Sequence, residues 1–177
     1  MVSAGGPDID GVGDVVEIRI DDDGWSGIAC EALARKCYDA ASAFEAKICQ
    51  PVSVLFTGDS EMRRLNRDFR GKDQPTNVLS FPTDDLQSDE QAASLGLPPE
   101  HTYLGDIALG AGVCARESAE KNISMENHAT HLLVHGLLHL AGYDHQNDED
   151  AELMEARERD ILKSIGVADP YSDPLER

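Results

Sequence analysis

Residues 124–145 read SMENHATHLLVHGLLHLAGYDH, and the fold is decided in this stretch. Ser124 is a helix N-cap residue, and Glu126 falls in the first turn, where the backbone dipole favours negative charge. Leu132, Leu133, Val134, Leu137, Leu138 and Leu140 make the helix apolar nearly all the way round. Such a helix is buried and central. His135 and His139 stand one turn apart on the same face. Two imidazoles in apolar surroundings cost free energy unless both find partners. Gly142 and His145 supply a reason for them. Glycine permits the left-handed turn that ends a helix, and that turn brings His145 back over the face of His135 and His139. Three neutral imidazoles in the spacing H-x3-H-x5-H describe a divalent-metal site with a fourth position open, the pattern of catalytic zinc. His131 shares the face, either as packing or as a neighbour behind the ligands, while His101 and His128 read as ordinary histidines.

Outward from this helix, Val16, Ile18 and Ile20 alternate with polar residues as in a half-buried strand. From Ser26 the residues Cys30, Leu33, Cys37, Ala41, Phe44 and Ile48 lie on one helical stripe. Strands follow at 51–57, 77–81 (stopped by Pro82) and 103–109; helices are predicted from a cap at Asp59 or Ser60 to about 69, and over 112–121. A last helix spans 148–165, with Ala151, Met154, Ile161, Leu162 and Ile165 inward and acidic residues outward. The expected architecture is α+β: one domain over 14–166, a four-stranded mixed sheet packed with about five helices, and the metal site at the end of the buried central helix. Residues 1–13 read as a flexible N-terminal tail and 167–177 as a C-terminal tail. The polar stretch 83–100 reads as a mobile surface loop or a plain connector.

The N-terminus lacks a secretory pattern, no apolar run approaches membrane-spanning length, and the four cysteines form no C-x-x-C pair. A cytoplasmic protein with reduced thiols is expected, with no membrane partner. The 177 residues carry 34 Asp+Glu against 15 Lys+Arg, a net charge of −19. A surface so acidic repels nucleic acid as a whole, because nonspecific binding rests on Lys and Arg neutralising phosphate. The charge is unevenly spread, however. Residues 63–72 alone hold five of the basic residues, Arg63, Arg64, Arg67, Arg70 and Lys72. They are either an ordinary solvated helix face or the one segment able to receive a phosphate; Arg70, in the loop, offers the planar fork suited to a phosphodiester.

The histidine spacing also matches the metzincin proteases, H-E-x-x-H-x-x-G-x-x-H, except that position 136 is Gly where they carry the Glu general base. A protease reading therefore lacks its base. For hydrolysis of a phosphodiester no residue is an obvious general base; Asp144, next to His145, is a weak candidate and reads better as a turn residue or as a group supporting the histidines from behind.

HGLLHLAGYDH (135–145), FRGKDQPTNVLSFP (69–82) and LGDI (104–107) together resemble the bacterial YbeY family of rRNA-maturation endoribonucleases over about residues 14–165. The resemblance implies a metal-dependent endoribonuclease acting on single-stranded RNA in 16S rRNA 3′-end maturation and ribosome quality control. It implies Zn2+ on His135, His139 and His145, other divalent metals such as Ni2+ suiting the same ligands, with Arg70 as the functional arginine and the small ribosomal subunit and its assembly factors as partners. No DNA partner is expected. A metalloprotease and a non-catalytic assembly factor stay open as other readings, as does the choice of water or the RNA 2′-OH as nucleophile.

Overall fold

The strand β1 (Val16–Ile20) and the helix α1 (Cys30–Phe44) open the fold in a computed structural model that describes residues 15–83 and 103–172. A 3-10 turn at Asp23–Trp25 separates them, so the helix starts four residues later than the apolar stripe suggests. Then follow β2 (Val52–Thr57), α2 (Asp59–Arg70), β3 (Val78–Pro82), β4 (Gly105–Gly110), α3 (Ala111–Glu120), α4 (Met125–Leu140) and α5 (Asp148–Ser164). The expected stretch 83–100 lies outside the described residues except for Thr83, as do 1–13 and His101.

The sheet order is β1-β2-β4-β3. β1, β2 and β4 run parallel, and β3 pairs antiparallel with β4, which makes the sheet mixed. Alternation along the strands gives it two apolar faces. Val54, Phe56, Ile107 and Leu109 point into the main core with α1, α4 and α5, while Leu79 and Ala108 meet Met62 of α2 on the other side. Among the described residues, four strands and five helices form one α+β domain, as expected, with α4 buried along most of its length.

Three local expectations differ. Phe44 is exposed and Ile48 is buried beyond the end of α1, because the stripe outruns the helix. Asp59 does not cap α2, whose N-cap is Gly58; its carboxylate instead accepts from Val113 N at 3.0 Å and pairs with Arg116 at 3.0 Å, serving the start of α3. On α5 the acidic residues do not all face solvent: Glu158 is fully buried among the apolar positions.

Candidate metal centre

The end of α4 is built to turn. Gly142 has φ +96°, and its N–H bonds to His139 O while Tyr143 N bonds to Leu138 O, the paired closure of a left-handed helix end. Tyr143 is anchored by its hydroxyl, which donates to Glu45 Oε2 at 2.7 Å and accepts from Arg157 Nε at 3.3 Å. Asp144 Oδ1 accepts from His145 N at 2.7 Å, a turn contact. The turn carries His145 over α4, so that one nitrogen from each of His135, His139 and His145 lies within 4.8 Å of the others.

Hydrogen bonding fixes which nitrogens converge. His139 Nδ1 lies 2.9 Å from Tyr143 O, a carbonyl that only accepts, so Nδ1 carries the hydrogen. His135 Nδ1 lies 2.5 Å from Glu158 Oε1. Burial acts to raise the Glu158 carboxyl, but the donors His131, His135 and Tyr171 outweigh it and bring it down to about 2, so this carboxylate is ionised and accepts as well. Both Nε2 atoms are therefore left with lone pairs, and they face each other at 3.0 Å. Two lone pairs at that distance repel unless a cation lies between or beside them. Burial, reinforced by His135, also holds the His139 ring below the ordinary histidine range, which keeps it neutral as a ligand must be. The donor set fits a divalent cation such as zinc on chemistry and convergence alike.

The three histidines form one wall of a cleft of about 790 Å³. Arg70 and Lys72, with Asn77 and Ser80, line it from the α2–β3 side. Gly71, at φ +69°, ends α2 and releases the chain into this loop, and Asn66 Nδ2 holds the loop by donating to Gln74 O at 2.8 Å. Arg70 Nη2 donates to Ser80 O at 3.0 Å, leaving the rest of its fork toward the cleft. Arg63, Arg64 and Arg67 lie outside the cleft lining. Arg63 is held by Asp73 in two bonds of 2.8 Å, Arg64 by Glu61 and Asp68, and Arg67 by Asp68. Asp144 is the only acidic side chain lining the cleft among the described residues.

Gly136, where a metzincin would carry its Glu, faces the sheet. A Cβ there would stand 3.1 Å from Ile107 Cγ2 and from Ser80 Oγ. Neither His131 nor His128 joins the converging group. His131 Nε2 is 3.5 Å from Glu158 Oε2, behind His135, and His128 is buried with Nε2 2.7 Å from Glu117. Glu158 was missed by sequence reasoning, although its place between Met154 and Ile161 on the inward stripe of α5 was a usable signal. Tyr171, beyond that helix, carried no such signal.

The family model for endoribonuclease YbeY matches residues 17–166. The endoribonuclease YbeY of Dinoroseobacter shibae is 42% identical over 172 residues, covering 90% of this chain and 92% of that one. That of Erythrobacter litoralis is 57% identical over 122 residues, 68% of this chain and 74% of the relative. Among solved structures, the solution structure of TM1509 from Thermotoga maritima matches with TM-score 0.50 and 26% identity over 89% of this chain and 99% of that one. With its histidine cluster set in a cleft under Arg70, this chain belongs to the endoribonuclease YbeY family.

Proposed function

We propose that the protein is a metal-dependent endoribonuclease that cleaves single-stranded RNA, acting in the cytoplasm on ribosomal RNA at the 3′ end of 16S. One observation carries this reading: a ring nitrogen from each of three histidines converges on one wall of a cleft whose other wall presents Arg70 and Lys72. His135, His139 and His145 would hold the ion, zinc by their tetrahedral-type donor set, with nickel as the alternative. When bound, a divalent cation supplies Lewis-acid polarisation and lowers the pKa of water.

The chain's own residues do the rest. Arg70, tied to Ser80 O by one nitrogen, aims its remaining N–H groups at a phosphodiester and neutralises charge that grows as the bond breaks. Lys72 adds a second positive charge along the strand. Arg63, Arg64 and Arg67 extend the basic track along α2, each with an acidic neighbour that phosphate must displace. Tyr143 O and Glu158 hold the histidine rings so that no reorganisation is needed when substrate arrives. A peptidase reading finds no base, since Gly136 is packed on the sheet.

The net charge of −19 argues that free RNA binds poorly to most of the surface, so a partner, the small ribosomal subunit, delivers the strand to the cleft. The test is a cleavage assay on an rRNA 3′-end fragment with wild type, His135→Ala and chelator-treated protein side by side. Cleavage by wild type alone is expected; activity that survives in His135→Ala comes from a contaminant and defeats the proposal. The product ends, cyclic phosphate or linear, read out whether 2′-OH or water attacks.

A further inference from the structure

Glu158 is fully buried, and a buried carboxylate is costly unless its oxygens are taken up by donors. Its Oε1 takes His135 Nδ1 at 2.5 Å. Its Oε2 takes the hydroxyl of Tyr171 and lies 3.5 Å from His131 Nε2. The two oxygens are thus divided between the metal centre and the chain that follows α5.

Tyr171 is held in that place by more than one contact. Its ring meets His131 edge to face, with centroids 5.7 Å apart, and the Arg159 guanidinium stands 5.2 Å from the ring centroid. Arg159 also pairs with Asp169 at 3.4 Å, and Asp169 Oδ1 accepts from Tyr171 N at 2.8 Å. These contacts fasten the segment on α5 and aim the phenol at Glu158.

We propose that Tyr171 and Glu158 are a positioning pair for the metal centre: the phenol stops the carboxylate from turning, and the carboxylate dictates that Nε2 of His135 faces His139 and His145. A histidine ring whose far nitrogen has no fixed acceptor samples both tautomers and a range of orientations, and such outer partners govern metal affinity. The inference rests on the reading of these three histidines as a divalent-cation site.

The test uses the full chain as wild type, Tyr171→Phe and Glu158→Gln, with two readouts: zinc affinity by competition with a chromophoric chelator, and the ring 15N resonances of His135 in zinc-free protein. Wild type is expected to show a single His135 tautomer with Nδ1 protonated. Glu158→Gln should mix the tautomers and weaken zinc by about 10- to 100-fold, while Tyr171→Phe, altered at a half-exposed residue and so still folded, should weaken it by roughly a few-fold. Variants that lose thermal stability yet keep wild-type zinc affinity and wild-type ring resonances would show a purely structural pair and overturn the proposal. If wild type itself binds no zinc, the metal reading fails instead, and the two failures are distinct.

Discussion

Arg70 and Gly136 are joined through one residue: Arg70 Nη2 donates to Ser80 O at 3.0 Å, and Ser80 Oγ donates to Gly136 O at 3.4 Å, on the helix that carries His135 and His139. The guanidinium of Arg70 and the clustered histidines are therefore set against each other through strand β3.

Arg70→Lys keeps the charge but loses the planar fork and cannot both hold Ser80 O and clamp two phosphate oxygens. We expect cleavage to fall by roughly 10- to 100-fold with zinc content unchanged. Parallel metal analysis and single-turnover assays check this; undiminished turnover would remove Arg70 from the mechanism.

Lys72 faces the cleft with no ion pair among the described residues, whereas Arg63 is clamped by Asp73. Lys72→Ala should weaken RNA binding and reduce the salt slope of log K by about one, and Arg63→Ala should change both less. Affinity measured across a salt series with a short single-stranded RNA decides the ranking.

Glu158 sets the acid limb of stability. Its carboxyl lies near 2 in the folded protein against an ordinary 4.5, so between those values the unfolded chain binds more protons than the folded one. The stabilisation is complete above about pH 4.5 and is lost as pH falls toward 2, amounting to about 3 kcal/mol. Urea midpoints of zinc-free protein across that window should fall for wild type and stay flatter for Glu158→Gln.

Gly136→Glu does not create a peptidase. The added side chain meets Ile107 and Ser80 at its first carbon, and the charge that follows would be buried. A loss of more than about 3 kcal/mol is expected from overpacking and desolvation together. Chemical denaturation measures it, and a well-folded Gly136→Glu variant would show that α4 can move off the sheet.

How legible each part was in the sequence follows from how local its cause is. The N-cap at Ser124, the apolar body of α4, Gly142 and the return of His145 all lie within 22 residues, and short-range periodicity and turn chemistry specify them. The strand order is different. β4 inserts between β2 and β3, a pairing across dozens of residues that no local pattern encodes. Asp59 looked like a cap for its own helix because Asp so often is one, yet its partners are 54 and 57 residues away. Glu158 was assigned to solvent by its charge, and only the tertiary meeting of α4 with α5 shows why a carboxylate belongs there.

The three clustered histidines lie in sequence between the groups that support them. Tyr143 is braced by Glu45 from the first third of the chain and by Arg157 from its last tenth or so, and His135 waits for Glu158. A polypeptide leaves the ribosome N-terminus first. All three histidines therefore emerge before Arg157 and Glu158, and the cluster gains its full set of supporting contacts only once α5 has been made.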